Sequence, residues 1–268
     1  FQISSLGMKR NEDGTVLDSQ LSIPGNSLFR KDRPSLGGGL IIYGGSYIES
    51  FFGVFGITEL PYVVSVGVTL FVFIVIINAV NLVDGIDSLS SQLFIIPTGV
   101  IAFLLFESNV LIPKLFGLYL AAIIAYLIFN LRKKNKVFLG DTGSLLLGST
   151  LAYFIFLLLD NDISIITDSK INRGYLSVLL ILYPLSDTLR VFSLRIKNRT
   201  SPFIADRNHL HHKLIDKGYS HVLASLVITT LSSLIVVINL IWFNYLGLIF
   251  APLLTLLFLY VIFIKVFK

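Results

Sequence analysis

Cysteine is absent from the 268-residue chain, and charged residues are scarce. Without a thiol the chain can form neither a disulfide, nor a thiolate nucleophile, nor a thiolate metal site. Asp, Glu, Lys and Arg make up 14% of the residues, whereas they make up about a quarter of soluble globular domains. With 54% hydrophobic residues and a mean hydropathy of +0.83, the composition excludes an ordinary soluble domain and indicates an integral membrane protein.

A location in a membrane also explains the net charge of +5. In a soluble protein this charge would suggest a nucleic-acid partner, but no nucleic-acid-binding motif accompanies it here. Attraction to an anionic leaflet and the positive-inside rule explain the excess of Lys and Arg better. We therefore expect the lipid bilayer as a partner and no nucleic acid.

Long apolar runs predict the fold class. Crossing a bilayer takes roughly 20 mostly apolar residues, and such a span must be helical because lipid offers the backbone no hydrogen bonds. The candidate spans are approximately residues 62–82, 92–107, 110–130, 144–160, 174–192, 221–242 and 244–264. The sequence thus predicts an all-α, polytopic integral membrane bundle of about seven helices within residues 61–268. Residues 1–60 are predicted to be a polar, irregular segment in which SLGGGLIIYGGSYIESFFGVFG is a re-entrant or an interfacial piece.

The basic residues predict which ends of the spans face the cytoplasm. If span 62–82 runs inward, the basic loops 132–136 and 193–220 fall on one side, with Lys170 and Arg173 as the main exceptions. Lys and Arg are enriched in cytoplasmic loops, so this orientation is favoured over its inverse. We expect a multi-pass protein of the cytoplasmic (inner) membrane.

Four polar clusters lie at the predicted cytoplasmic ends of spans or in the cytoplasmic loop. They are NAVNLVDGID (78–87), FLGDTGS (138–144), PLSDTLRVFSLR (184–195) and SPFIADRNHLHHKL (201–214). Scattered structural polar residues would have no reason to gather on one face. Their co-location therefore predicts one functional site that faces the cytoplasm.

The first cluster combines amides with carboxylates. Asn78, Asn81 and Asp84 are each three residues apart, so neighbours in the series adjoin on a helix surface, and Asp87 follows. Carboxylates near a membrane face are costly unless they are paired, hydrated or bound to a cation, which makes them functional candidates. Helix termination with hydration at the interface is the alternative interpretation.

The second and third clusters each have a structural alternative. Asp141 stands among Gly140, Thr142, Gly143 and Ser144, and small residues would let a polyanion and its metal approach the backbone closely. A helix N-cap is the alternative role for this aspartate. In the third cluster, Asp187 and Arg190 are three residues apart in an apolar helix, where a simple ion pair is the alternative.

The fourth cluster contains three histidines, His209, His211 and His212, preceded by Asp206 and Arg207. Zinc is a weak alternative, because two of the histidines are two residues apart and no cysteine can complete a soft site. We prefer a set that faces phosphate, with histidines as donors or acid/base groups and arginine as a charge clamp. Combined with oxygen ligands suited to Mg²⁺, this set indicates phosphoryl transfer beside an apolar bundle that suits a lipid acceptor.

The quoted motifs NAVNLVDGID, FLGDTGSLLLG, PLSDTLRV and PFIADRNHLHHKL resemble those of the polyprenyl-phosphate N-acetylhexosamine-1-phosphate transferases. The similarity extends over roughly residues 50–264. The last motif resembles that of the branch that starts O-antigen, teichoic acid or related glycans, rather than that of the peptidoglycan branch. The resemblance implies transfer of N-acetylhexosamine-1-phosphate, with GlcNAc as the expected sugar, from a UDP-sugar to undecaprenyl phosphate. UMP would be released, and the lipid product would start synthesis of a cell-envelope polysaccharide such as lipopolysaccharide or cell-wall glycan. A homodimer is also expected.

The resemblance also implies roles for individual residues. The metal ligands for Mg²⁺, or Mn²⁺ in its place, would be Asn81 and Asp141. The catalytic set would be Asp84, Asp87, His209, His211 and His212. The substrate-binding set would be Asn78, Asn81, Asp187, Arg190, Asp206 and Arg207.

The chain departs from the family pattern in three places. Ser88 stands where the family usually has glycine, and no adjacent Asp-Asp pair occurs, although the family carries one upstream. FQISSLGMK is similar to the residues that follow that pair, whereas RKDRPSLGGGLIIYGG is similar to the family's extreme N-terminus. We therefore expect a truncated or rearranged member. The alternatives to an active enzyme are an inactive member that binds nucleotide-sugar or lipid phosphate, and a membrane transporter.

Overall fold

The structure, a computed structural model, describes residues 48–51, 56–106, 111–160, 172–201, 208–239 and 241. These ranges contain eight helices and no strand, which confirms the all-α prediction. The helices are α1 (Tyr62–Val83), α2 (Leu89–Leu104), α3 (Leu111–Asn130), α4 (Gly140–Leu159), α5 (Arg173–Leu180), α6 (Leu182–Lys197), α7 (Leu210–Asp216) and α8 (His221–Asn239).

Four helices in the described residues are long and apolar enough to cross a membrane: α1, α3, α4 and α8. Helices α5 and α6 form a fifth candidate span, bent by 67° at their junction. Helix α2 has 16 residues, fewer than the roughly 20 that a bilayer requires. The predicted span 244–264 and most of the predicted segment 1–60 lie outside the described residues, so the count of seven stays a prediction.

The bend between α5 and α6 corrects the prediction of one continuous span over 174–192. Helix α5 ends at Leu180 and α6 begins at Leu182. Pro184 explains the position of the break, because proline has no N–H to donate to the carbonyl of Leu180, four residues earlier. The apolar run continues through this region, so a hydropathy argument by itself does not detect the bend.

The core of the bundle lies around α4, which is apolar on all sides, as expected of an interior helix. Buried side chains on α4 include Leu151, Phe154 and Ile155. Helix α1, by contrast, exposes Phe71 and Ile74, which suits a surface that faces lipid acyl chains.

Helices α1 and α4 approach each other closely at Gly148. A Cβ atom added to Gly148 would lie 2.9 Å from the Cα atom of Ile77, so only glycine allows the two backbones to approach this closely. One turn from this contact, α1 carries Asn81 and α4 carries Ser144. The close approach therefore brings the ends of the first and second polar clusters together.

Candidate active site

The first two polar clusters meet through a direct contact between α1 and α4. The Nδ2 atom of Asn81 donates to the Oγ atom of Ser144 at 2.8 Å and lies 3.4 Å from the Oδ1 atom of Asp141. Both predicted metal ligands, Asn81 and Asp141, are thus in contact. Helix α4 begins at Gly140, four residues earlier than predicted, with Leu139 at the N-cap position. The alternative of Asp141 as an N-cap is therefore wrong, since Asp141 lies inside the first turn.

Asp84 ends α1 and lies beside this contact. Burial raises the pKa of the Asp84 carboxyl, the nearby charge of Asp141 raises it further, and a hydrogen bond donated by the Ser90 hydroxyl acts in the opposite direction. The carboxylates of Asp84 and Asp141 and the amide oxygen of Asn81 form an oxygen-rich set. Such a set fits a hard divalent cation that keeps several of its own waters. Within the described residues no three His, Asp or Glu side chains form a complete protein cage for a metal.

Residues 84–88, here named the acidic turn, also contact the α3–α4 loop and the start of α8. The Asp87 carboxylate pairs with the Lys136 ammonium and lies 3.2 Å from the Nδ1 atom of His221. His221 is the first residue of α8, and its side chain is partly exposed. Sequence reasoning missed both partners of Asp87. The only signal for Lys136 was its place in a basic loop.

Asn130 connects the acidic turn with the loop that leads to Asp141. The backbone N–H of Ser88 donates to the Oδ1 atom of Asn130 at 3.1 Å, and the Nδ2 atom of Asn130 donates to the Val137 carbonyl at 2.9 Å. Asn130 is buried at the end of α3. The sequence offered one signal for this role, an asparagine at the end of an apolar span. If such an amide is buried, it requires hydrogen-bond partners.

Ser88 occupies a left-handed backbone conformation, with φ at 64°. Glycine adopts this region without the steric cost that a Cβ atom imposes. The family's usual glycine at this position therefore has a conformational reason. In this chain the serine occurs there despite the strain.

Asp187 is fully buried and makes internal contacts from both carboxylate oxygens. Its Oδ1 atom accepts from Arg190 at 2.8 Å, its Oδ2 atom lies 2.9 Å from the Nδ1 atom of His209, and the Leu210 N–H donates to Oδ1 at 3.3 Å. The ion pair considered from the sequence is present, and a histidine completes it. These contacts show Asp187 holding the start of α7 against α6, while substrate contact by Asp187 and Arg190 stays a prediction.

The histidine cluster, His209, His211 and His212, lies against the acidic turn. The His211 ring is fully buried, and a Cβ atom added to Gly85 would lie 2.2 Å from its Nε2 atom. The ring stacks on His209 and is tilted against His212, with centroids 5.6 and 4.3 Å apart. Burial, helped by the charge of His212, lowers the pKa of His211 to about 3. His211 is therefore neutral near pH 7, and neither ring nitrogen has a hydrogen-bond partner among the described residues.

The remaining predicted residues are placed as follows. Asn78 lies exposed on α1, and its Nδ2 atom donates to the Ile74 carbonyl of the same helix at 2.7 Å. Asp206 and Arg207 lie outside the described residues. The described part of the chain thus brings elements of all four clusters to one end of the bundle. Carboxylates, an amide and histidines there form a set of groups suited to binding phosphate and a cation.

The fold is that of a multi-pass membrane protein, and the polar groups of the candidate site lie at the ends of its helices. Residues 35–159, which contain α1 to α4 and the acidic turn, match glycosyl transferase family 4.

The chain is also similar to individual curated proteins, which are transferases of one kind. The chain is 31% identical over 205 residues to the undecaprenyl-phosphate alpha-N-acetylglucosaminyl 1-phosphate transferase of Escherichia coli K12, covering 73% of this chain and 53% of that protein. It is 32% identical over 178 residues to the Yersinia pestis protein of the same name, covering 65% and 47%. A probable transferase of this kind from Bacillus subtilis is 32% identical over 154 residues, covering 57% and 41%. The resemblance found in the motifs is confirmed, and the chain spans about half the length of the curated relatives it matches.

Proposed function

We propose that the chain transfers N-acetylglucosamine-1-phosphate from UDP-GlcNAc to undecaprenyl phosphate and releases UMP. The observation that carries this proposal is the contact of Asn81 with Asp141 beside Asp84, with the histidine cluster packed on the same turn. The names of the relatives support the choice of acceptor and sugar. The basic loops on the same side of the bundle support a site at the cytoplasmic face of the inner membrane.

In the proposed reaction an oxygen of the lipid phosphate attacks the β-phosphorus of the UDP-sugar. The bond between this phosphorus and the bridging oxygen breaks, and the bridging oxygen leaves with UMP. A divalent cation, Mg²⁺ or Mn²⁺, held by Asn81 and Asp141 would neutralise charge on the diphosphate. Positioning and charge neutralisation supply most of the catalysis in reactions of this class.

The chain's own residues have separate tasks in this scheme. The Oδ1 atom of Asp84 accepts from Ser90, which leaves Oδ2 to take a proton from the incoming lipid phosphate. The raised pKa of Asp84 suits a group that accepts and then releases a proton. His212, which is partly exposed, would donate to a phosphate oxygen, and Asp187 fixes His209 at the start of α7.

The test is UMP release by membranes that contain the chain, supplied with undecaprenyl phosphate, UDP-GlcNAc and Mg²⁺. We expect release that requires the lipid acceptor. Binding of UDP-GlcNAc by an inserted protein that releases no UMP would favour the alternative of an inactive family member.

A transporter is the second candidate, because the 67° break between α5 and α6 is a feature of transporter helices. The polar groups of the site nevertheless gather at helix ends, whereas transporter sites lie near the middle of the bilayer. Uptake of labelled UDP-GlcNAc into sealed vesicles without lipid labelling would favour the transporter.

A further inference from the structure

Helices α2 and α8 are joined by a hydrogen-bonded group of four side chains, here named the clasp: Ser88, Gln92, Ser225 and Thr229. The hydroxyls of Ser88 and Ser225 are 2.9 Å apart. The Nε2 atom of Gln92 donates to Ser88 at 2.8 Å and lies 3.2 Å from the Ser225 hydroxyl. Thr229 donates to the Oε1 atom of Gln92 at 2.6 Å. All three hydroxyl-bearing residues are buried.

The spacing of these residues makes the clasp a specific connection between the two helices. Ser225 and Thr229 are four residues apart on α8 and therefore lie on one face, while Ser88 and Gln92 are four apart at the start of α2. Apolar surface gives little driving force for helix association within lipid, so packing and hydrogen bonds between helices decide which faces meet. The clasp thus fixes both the rotation of α8 and its height relative to α2.

The position of α8 matters because its first residue contacts the acidic turn. His221 lies 3.2 Å from Asp87, and the same turn ends at Ser88, a member of the clasp. The Ser88 N–H is held by Asn130 from the other side. Displacement of α8 would therefore move His221 away from Asp87 and release the Ser88 end of the acidic turn.

The clasp also explains the serine at a position where the backbone favours glycine. Ser88 adopts φ of 64°, and its hydroxyl contacts both Gln92 and Ser225. Glycine would relieve the backbone strain but would leave the buried Ser225 and the half-buried Gln92 without this partner.

We propose that the clasp is a positioning device for the acidic turn, and that Ser88, Gln92, Ser225 and Thr229 act through Asp84 and Asp87 without touching substrate. The proposal rests on the proposed function for what the turn does, and its structural part is independent of that function.

The first test compares two Ser→Ala variants on α8, one inside the clasp and one outside it. Ser225→Ala opens the clasp, whereas Ser232→Ala removes a hydroxyl that donates to the Ile228 carbonyl of its own helix. Small displacements of catalytic groups can cost up to about a hundredfold in rate. We expect S225A to lower kcat by about tenfold or more with an unchanged KM for UDP-GlcNAc, and S232A to behave like the parent.

The second test closes the clasp covalently in a chain that contains no other cysteine. In the S88C/S225C variant, reduction leaves the clasp open and mild oxidation joins the two positions. We expect kcat to recover on oxidation and to fall again on reduction, which a general loss of folding would not reproduce. Equal kcat in both redox states, or equal activity of S225A and S232A, would overturn the proposal.

Hydrogen exchange separates failure of the clasp from failure of the proposed function. If the parent releases no UMP, the proposed function fails, and exchange of the Ser88 amide then tests the clasp alone. We expect the amide to be protected in the parent and in S232A and to exchange faster in S225A. Equal protection in all three proteins would overturn the positioning role.

Discussion

Replacement of Gly85 by alanine tests the packing of the acidic turn against the histidine cluster. The new Cβ atom would lie 2.2 Å from the Nε2 atom of His211, more than 1 Å closer than ordinary van der Waals contact. The His211 ring is fully buried, and the turn is held by Asn130 through Ser88. Either the ring or the turn must therefore move.

The cost of this overlap can be estimated from overpacking in other proteins, which typically destabilises by about 1–3 kcal/mol. We expect G85A to lower the free energy of unfolding by this amount, measured in mixed micelles titrated with SDS. UMP release should fall by more than the folded fraction does, since the displaced turn carries Asp84 and Asp87. G117A is the matched control, because nothing lies within 4 Å of its new Cβ atom; it should stabilise α3 by about 0.5–1 kcal/mol.

A double-mutant cycle with His211→Ala identifies the source of the cost. Without the imidazole the new methyl group has nothing to meet, so G85A should cost at least about 1 kcal/mol less in the H211A background. Equal costs in both backgrounds would show that the ring does not pack against the turn. The predicted overlap between residue 85 and the His211 ring would then be wrong.

The remaining predictions concern individual charges. Asp141→Asn should abolish Mg²⁺-dependent UMP release, whereas Asp160→Asn at the opposite end of α4 should retain it; normal turnover in D141N would contradict the metal assignment. Asp187→Asn should destabilise the protein by roughly 3–5 kcal/mol, because it leaves the partly buried Arg190 without its fully buried counter-charge; SDS unfolding measures this, with the exposed Asp216→Asn as control. The pKa of His211 is lowered from 6.5 to about 3 in the folded protein, so below pH 6.5 the unfolded chain binds a proton that the folded protein does not, and the free energy of unfolding should fall by up to about 5 kcal/mol as the pH falls towards 3. Unfolding at pH 7 and pH 5 should therefore differ less in H211A than in the parent, and an unchanged difference would contradict the assigned pKa.

The sequence predicts the parts of the fold that depend on local composition. Helix α1 covers Tyr62–Val83, within one residue of the predicted span 62–82, because the long apolar run gives way to polar residues near Asn81 and Asp84. The start of α4 was placed four residues late because hydropathy counts apolar residues, whereas the helix begins in the small polar residues from Gly140 onward. The break at Ile181 depends on a single proline inside an apolar run and was missed for that reason.

The site was predictable as a set of clusters but not as a network of contacts. The pairing of Asp187 with Arg190 follows from their spacing on one helix. The pairing of Asp187 with His209, 22 residues away, depends on how α7 packs against α6, and local spacing does not specify it. Asn130 and the clasp are tertiary contacts between helices distant in sequence. Apart from Ser88, their residues belong to no motif with charged or metal-binding residues, so only the packed bundle reveals these contacts.

The central claim is that this end of the bundle transfers a sugar together with its phosphate. The most direct measurement uses UDP-GlcNAc carrying ³²P at the β-phosphate, incubated with the purified chain and undecaprenyl phosphate, followed by separation of lipid from water-soluble products. We expect the label to enter the lipid fraction in step with UMP release. Sugar recovered in the lipid fraction while the label stays in water-soluble UDP would show transfer of the sugar alone, and would rule out transfer of the sugar phosphate.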